Sequence, residues 1–144
     1  MKTRKLLFGQ VFTPKSLVKQ IVDTCMPEVL RNPKITVLEP AVGDVRFLTY
    51  ILHQRLSQSQ DIYHTLQAVS TLYGIDIQKD NVIKAREELY NVIKLKNPSI
   101  LELPKMKDAL QLIISENIIH GCSVTKKYID NQHPITINKY DIVR

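Results

Sequence analysis

The sequence predicts an α/β protein built on a parallel sheet with helices on both faces. Short apolar, β-branched runs are typical of buried strands, and they alternate with segments whose apolar residues recur at helical spacing. This alternation is typical of βαβ units with right-handed crossovers. The chain of 144 residues is long enough for one domain with its own apolar core.

The first predicted element is a basic leader followed by a helix from Thr13 to Leu30. Thr13 is suited to the N-cap and Pro14 to the first helical position. Apolar residues then recur on one helical face, and Pro27 is expected to end or kink the helix.

The remaining elements follow from the same two patterns. Residues 35–38 predict a buried strand, and 39–44 predict a tight turn before a helix that begins near Arg46. Later elements are expected, in order, as a short helix (62–66), a strand (69–77), a helix that Asp80 caps, a helix (105–115), a strand (117–120) and a final apolar run (135–143).

Chemistry-bearing residues follow the predicted strands. Because ligands on parallel sheets bind beyond the carboxyl ends of the strands, we expect 39–44, Asp76 and 120–123 to lie along one rim. A helix N-terminus attracts anions, and Gly43 permits a close approach or a positive φ. The Glu39 carboxylate could meet a cationic amine, and that of Asp76 could accept hydrogen bonds from a ribose diol. Alternatively, Glu39 caps a turn and Asp76 is a solvated strand-end carboxylate.

Four segments on these elements resemble the motifs of one enzyme family. Val37–Leu48 resembles motif I of the adenine-N6 DNA methyltransferases of restriction-modification systems, V-L-[DE]-P-A-x-G-x-G-x-F-L. Gly9–Pro14 resembles the family's G-Q-x-[FY]-T-P, and Tyr73–Ile77 resembles its motif II. Asn117–Thr125 resembles its third motif, N-I-x-x-G-D-S-L-T. The order of the motifs is also that of the family.

The resemblance implies a partial Rossmann-like methyltransferase fold that binds S-adenosyl-L-methionine, with DNA as the partner of the full-length parent. It divides the chain into an N-terminal leader and helix (1–30) and a partial cofactor-binding domain (31–144). Ile77 is expected either to contact the adenine ring of the cofactor or to pack in the core. The implied cofactor-binding residues are Phe12, Thr13, Pro14, Glu39, Pro40, Ala41, Gly43, Asp76, Ile77 and Cys122.

Three departures from the family's pattern limit what the resemblance implies. Val45 replaces the second glycine of motif I, where a β-branched side chain restricts φ. Cys122 replaces the aspartate that would accept a hydrogen bond from the adenine amine. The base-binding motif [DNS]-P-P-[YFW] is absent, although 140–143 resembles the strand that leads into it. We therefore assign no catalytic residue and expect a chain that is inactive alone, without its catalytic and recognition part or a partner subunit.

The composition of the chain limits which partners, metals and cellular compartments we expect for it. The net charge of +6 is compatible with a polyanionic partner. Cys25 and Cys122 are too few for a disulfide framework or a zinc site, and the histidines lack metal-ligand spacing. No apolar stretch approaches the roughly 18 residues of a membrane span, and the leader is too short for a signal peptide. We expect a cytoplasmic protein without a metal.

Two other functions remain open from the sequence. The chain could be a degenerate methyltransferase-like module that binds DNA or a partner without catalysis, which Val45, Cys122 and the missing base-binding motif favour. A nicotinamide-dependent dehydrogenase domain is disfavoured, because the turn around Gly43 lacks G-x-G-x-x-G.

Overall fold

The computed structural model describes residues 14–43 and 45–143, and it confirms the predicted α/β class. Phe12 and Thr13 lie outside the described residues. The elements in chain order are α1 (Lys15–Cys25), α2 (Pro27–Arg31), β1 (Val37–Glu39), α3 (Arg46–Leu56), α4 (Ile62–Ser70), β2 (Leu72–Asp76), α5 (Lys79–Lys96), a 3₁₀ helix (Pro98–Glu102), α6 (Pro104–Asn117), β3 (Ile118–Cys122) and β4 (Lys127–Tyr128).

The four strands form one open sheet in the order β1-β2-β3-β4. β1 pairs with β2 in parallel, with Val37 opposite Leu72, and β2 pairs with β3 in parallel, with Gly74 opposite Ile118. β4 adds an antiparallel edge, with Gly121 opposite Tyr128. The sheet is therefore mostly parallel, as the alternation of strands and helices predicts.

One face of the sheet packs against the helices and holds the core. Leu72 and Ile118 share a buried cluster with Leu52 of α3, Leu89 of α5 and Ile114 of α6. These helical side chains come from the residues that repeat at helical spacing in the sequence, which is why the apolar faces of the helices meet the strands.

An irregular segment, and not a helix, reaches the opposite face of the sheet in the described part of the chain, which corrects the expectation of helices on both faces. Tyr73 donates a hydrogen bond from its hydroxyl to the carbonyl of Asn138. The side chain of Ile135 packs so close to Gly121 that a Cβ there would lie 2.8 Å from the Ile135 Cδ1. The strand expected near 140–143 is wrong, since 135–143 has no regular secondary structure. Side-chain contacts to the sheet, together with a backbone hydrogen bond from the Ile135 amide to the carbonyl of Lys126 at 2.8 Å, hold this segment instead of a regular ladder.

The N-terminal helix differs from the prediction by one residue at its start. Pro14 occupies the N-cap in an extended conformation, with φ −58° and ψ 146°, instead of the first helical position. Its carbonyl accepts hydrogen bonds from the amides of Leu17 and Val18, both at 3.0 Å. The predicted interruption at Pro27 is confirmed, because α1 ends at Cys25 and Pro27 begins α2.

Two further boundaries correct the prediction. The second strand begins at Leu72, not at Val69, because α4 continues through Ser70. Gln78 precedes α5 as its N-cap, and Asp80 lies within the first turn. An acidic residue there is still favourable, since the positive end of the helix dipole attracts negative charge.

Arg55 of α3 joins the segments that enter β1 and β2. It is fully buried, and its Nε donates a hydrogen bond to the carbonyl of Val29 at 2.7 Å. Its Nη1 donates to the carbonyl of Ala68 at 3.0 Å and to the Thr71 hydroxyl at 2.8 Å, and its Nη2 donates to the carbonyl of Ile35 at 2.8 Å. Burial lowers the pKa of Arg55 to about 10, so the guanidinium remains charged at neutral pH.

Candidate functional site

The structure brings Glu39 and Asp76 to the same edge of the sheet. Glu39 ends β1 and pairs with Gly74, while Asp76 lies two positions further along β2 and pairs with His120 of β3. Parallel strands direct their carboxyl ends to one edge, which is why acids distant in sequence become neighbours here. We call this edge, from Glu39 through Asp76 to Cys122, the rim.

The turn between β1 and α3 is attached to Asp76. The amide of Gly43 donates a hydrogen bond to Asp76 Oδ2 at 3.0 Å, and the amide of Gln78 donates to Oδ1 at 2.8 Å. The Val42 amide also donates to the carbonyl of Ile75 at 3.0 Å. Asp76 is only 6% exposed, so the alternative of a solvated strand-end carboxylate is wrong.

Two residues of this turn adopt the left-handed conformation. Gly43 has φ 59°, and Val45 has φ 70° and ψ 15° immediately before α3. A β-branched residue rarely adopts such a conformation, and Val45 is 2% exposed within the core cluster. Val45 therefore keeps a backbone conformation that glycine adopts without strain, and its buried side chain offsets part of the cost.

Gly74 allows the turn to lie directly on β2. A Cβ at Gly74 would lie 2.4 Å from Val42 Cγ2 and 3.1 Å from Leu48 Cδ1. Since real Cβ atoms do not approach other atoms so closely, the contact between turn and strand requires glycine at this position. The sequence places Gly74 next to Ile75 and Asp76, but this packing role has no signal in the sequence alone.

Glu39 has a weaker connection to the same turn. Its Oε1 accepts a hydrogen bond from the amide of Ala41 at 3.3 Å, which is the turn contact that the sequence offered as an alternative. Burial raises the pKa of Glu39, and the Ala41 amide opposes this shift in part. A cationic group beside Glu39 would stabilise the ionised carboxylate. Pro40 and Ala41 are both exposed.

Cys122 ends β3 at the third position of the rim. Hydrogen bonds from the amide and hydroxyl of Thr125 and from the amide of Val124 lower the pKa of its thiol. The sulfur thus accepts hydrogen bonds from its own turn, a role that the sequence did not indicate. Beyond β2, Ile77 is 57% exposed, which contradicts the alternative that it packs in the core.

His120 links the turns that follow β2 and β3. Its Nε2 lies 3.0 Å from the carbonyl oxygen of Ile77, and its Nδ1 lies 3.6 Å from a carboxylate oxygen of Asp130. The strand that the sequence predicts over 117–120 ends at this histidine. The structure places His120 within β3, beside Asp76.

The predicted site residues divide into three groups. Glu39, Gly43 and Asp76 meet at one end of the sheet, and Pro40, Ala41, Ile77 and Cys122 lie in or beside the adjoining turns. Pro14 precedes α1, which packs against α3 through a hydrogen bond from the Tyr50 hydroxyl to Asp23 Oδ1 at 2.6 Å. Phe12 and Thr13 fall outside the described residues, so their expected contact with the cofactor stays a prediction.

The structure also shows polar and cationic residues that the sequence analysis does not name as ligand-binding residues. Asn81, in the first turn of α5, is 3% exposed, and its Nδ2 has no hydrogen-bond partner among the described residues. Lys15, Arg46 and His53 line a cavity between helices. The position of Asn81, in the first helical turn after a strand that ends in an acid, is a sequence signal that could have indicated it. The cavity has no such signal, because it forms only when the helices pack together.

Comparisons with protein-family models, with curated proteins and with solved structures find no match to this chain. Within the described residues, no group of His, Cys, Asp or Glu side chains is arranged to hold a metal ion. No helix in the part of the chain that the structure describes combines the length and apolar character that a membrane span requires.

Proposed function

We propose that this chain is the S-adenosyl-L-methionine-binding part of an adenine-N6 DNA methyltransferase with a Rossmann-like fold. The observation that carries the proposal is the meeting of Glu39 and Asp76 at neighbouring strand ends, around a turn with left-handed residues at Gly43 and Val45. A nucleoside joined to an amino acid needs acceptors for a ribose diol and for an ammonium group, and these two carboxylates supply them.

Each part of the cofactor has a matching group on the rim. Asp76 would accept hydrogen bonds from the ribose hydroxyls, and the amides in the first turn of α3 would bind the methionine carboxylate near the positive end of the helix dipole. Glu39 would face the ammonium group, whose charge would offset the desolvation that raises the pKa of this carboxyl. Exposed Ile77 would supply an apolar surface for the adenine ring.

Val45 has a left-handed backbone conformation at the position where motif I of the family has its second glycine. The family has glycine there, and this chain adopts a glycine-like φ with valine. The turn therefore has a backbone conformation at Val45 that glycine adopts without strain, while the valine side chain and the thiol of Cys122 depart from the family's pattern. We expect the loss of the aspartate at Cys122 to weaken cofactor binding by about tenfold to a hundredfold, and the Val45 side chain to weaken it further.

The proposal concerns cofactor binding and not methyl transfer by this sequence. The sequence has no adjacent prolines and so no base-binding motif of the family. Transfer to adenine N6 requires a flipped base held in such a pocket. DNA is therefore the partner of the complete enzyme in this proposal, and the expected compartment is the cytoplasm.

Isothermal titration calorimetry with S-adenosyl-L-methionine tests the proposal. We expect weak saturable binding to the chain, loss of binding in Asp76→Asn, and unchanged binding in Asp108→Asn, an exposed carboxylate on α6. Val45→Gly and Cys122→Asp should each tighten binding, because each restores the family's residue. No heat at millimolar ligand in the chain or in the double variant V45G/C122D would contradict the proposal.

The second candidate function is a degenerate methyltransferase-like module that binds DNA or a partner subunit without catalysis. Val45, Cys122 and the missing base-binding motif favour it, together with the net charge of +6. An electrophoretic mobility shift at increasing salt separates the two functions. Salt-sensitive retention of duplex DNA, combined with no response to the cofactor in V45G/C122D, would favour the module.

A further inference from the structure

A groove of about 270 Å³ lies between α5 and α6. Arg86, which lines it, donates hydrogen bonds to the carbonyl of Ser115, near the end of α6, and to that of Ile118, where β3 begins. The rim includes the opposite end of β3, at Cys122, so the groove and the rim lie toward different edges of the sheet. The lining residues are Arg86, Glu87, Tyr90, Gln111, Ile114 and Ser115.

The apolar part of the groove has room for one aromatic ring. Ile114 of α6 is buried, and Tyr90 of α5 is half-buried and packs against the core. An apolar cavity of about 150 Å³ accommodates benzene, so about 270 Å³ has room for a ring with a short charged substituent. The Tyr90 ring offers an aromatic surface against which a second ring can stack in an offset or edge-to-face arrangement.

Two opposite charges lie side by side along the groove. Arg86 and Glu87 are consecutive residues of α5, and both line it. The hydrogen bonds from Arg86 to backbone carbonyls use Nε and Nη2, so they fix the guanidinium and leave Nη1 to a ligand within the described part of the chain. Glu87 is exposed and forms no ion pair with another described residue. Burial lowers the pKa of Arg86, but an arginine side chain keeps its charge at neutral pH.

We propose that this groove binds an aromatic α-amino acid as a zwitterion. The carboxylate would accept hydrogen bonds from Nη1 of Arg86, and the ammonium group would donate to the Glu87 carboxylate. The ring would pack against Tyr90 and Ile114. An α-amino acid carries both charges on one carbon, which matches two opposite charges on consecutive residues. Charge-assisted hydrogen bonds are stronger than neutral ones, so the zwitterion is favoured over a ring that carries one charge. This site is independent of the proposed cofactor site, which lies on the rim.

Backbone NMR titration with L-phenylalanine tests the proposal, and phenylpropanoate and phenethylamine are its single-charge counterparts. Phenylpropanoate lacks the ammonium group, and phenethylamine lacks the carboxylate. We expect saturable shifts of the amides of Glu87, Tyr90, Gln111 and Ser115 with phenylalanine. Each counterpart should bind about two- to fivefold more weakly, because it lacks one of the two ion pairs that form at a partly exposed site.

A matched pair of variants separates a binding site from a packing gap. Glu87→Gln should weaken phenylalanine binding about two- to fivefold. It should not weaken phenylpropanoate binding, because that ligand presents no ammonium group to the carboxylate. Glu88→Gln, at the next exposed position of α5 and outside the lining of the groove, should leave binding of both ligands unchanged. Both variants should fold like the parent chain, because both side chains are exposed.

Several outcomes would overturn this proposal. They are equal affinities for phenylalanine and its two counterparts, an E87Q variant that binds phenylalanine like the parent chain, and shifts that map outside the groove or never saturate. Binding of phenylalanine should persist in Asp76→Asn, so failure of the cofactor proposal and failure of this one remain distinguishable.

Discussion

The two edges of the parallel sheet are held by opposite charges. At the amino-terminal edge, Arg55 donates hydrogen bonds to backbone carbonyls that precede β1 and β2, and Arg86 of α5 donates to the carbonyls of Ser115 and Ile118 at the start of β3. At the carboxyl-terminal edge, Glu39 and Asp76 accept hydrogen bonds from the amides of the adjoining turns. Cations therefore bind carbonyls at one edge, and anions bind amides at the other.

This difference follows from the polarity of the chain. Helices that precede a parallel strand end near its amino edge, where their last carbonyls are unsatisfied and a cation is favourable. Helices that follow a strand begin near its carboxyl edge, where amides are unsatisfied. The guanidinium of Arg55 is fully enclosed, whereas Glu39, Ile77 and Cys122 retain exposure. The amino edge is thus suited to stability and the carboxyl edge to binding.

The largest effect that we predict concerns the amino-terminal edge. Arg55→Met should lower the free energy of unfolding by about 3–5 kcal/mol, because it leaves several buried carbonyls without a donor. Arg55→Lys should lose most of this stability too, since an ammonium group cannot reach carbonyls on both sides as the guanidinium does. Urea unfolding measures both changes.

Arg31→Met is the matched control for this prediction. The Arg31 side chain is 71% exposed, and its nearest carboxylate oxygen, on Glu28, is 3.8 Å away. We expect a change within about 0.5 kcal/mol. If R55M were as stable as R31M, Arg55 would not hold the strand entries, and the contrast between the two edges would fail.

The second prediction compares two buried valines of the rim turn. Val42→Gly should destabilise the chain by about 3 kcal/mol, because it removes a buried side chain and adds backbone entropy to the unfolded state. Val45→Gly removes a similar side chain but also relieves the strain at φ 70°, which costs about 1–2 kcal/mol. We therefore expect V45G to lose only about 1–2 kcal/mol in urea unfolding. Equal losses in the two variants would show that Val45 is not strained.

The third prediction tests whether Asp76 fixes the rim turn. Asparagine keeps one acceptor oxygen, so the amide of Gly43 or of Gln78 loses its partner in Asp76→Asn. We expect a loss of about 1–3 kcal/mol and faster hydrogen exchange at the amide of Gly43 or of Gln78, with no comparable change in Asp108→Asn. Unchanged exchange at both amides would mean that other contacts hold the turn.

The sequence predicts the rim better than it predicts the amino-terminal edge. Glu39, Gly43 and Asp76 follow apolar runs directly, and the rule for parallel sheets is enough to bring them together. Arg55 interrupts a helical apolar pattern and resembles an exposed charge. Its carbonyl partners come from three separate segments, which are α2, the loop before β1 and α4, and the meeting of these segments depends on the complete tertiary structure.

The sequence also does not predict the irregular and very short elements of the fold. β4 has two residues, and its position depends on contacts such as the hydrogen bond from the Ile129 amide to the carbonyl of His120 at 3.2 Å. Residues 140–143 resemble a strand in the sequence, yet the segment 135–143 has no regular secondary structure and contacts side chains such as Tyr73. The pattern of apolar residues indicates that a segment buries apolar side chains. It does not indicate which groups its backbone forms hydrogen bonds with.

The smallest predicted effect concerns the pH dependence of Glu39. Burial raises its pKa in the folded chain above the ordinary value of 4.5, so the folded state holds this proton more tightly than the unfolded state. As the pH rises from about 4.5 through the raised pKa, ionisation of Glu39 therefore lowers the free energy of unfolding. Glu39→Gln removes this loss and keeps an oxygen that can accept from Ala41.

The expected result is a variant that matches the parent chain near pH 4 and becomes relatively more stable as the pH rises, until the difference reaches a plateau. Glu88→Gln, an exposed position on α5, should show no such trend. Urea unfolding at successive pH values measures both. A constant difference between E39Q and the parent chain from pH 4 to pH 7 would mean that the carboxyl is not desolvated in the fold. Glu39 would then not be the half-buried acceptor that an ammonium group stabilises, and the rim would retain Asp76 as its one buried carboxylate within the described residues.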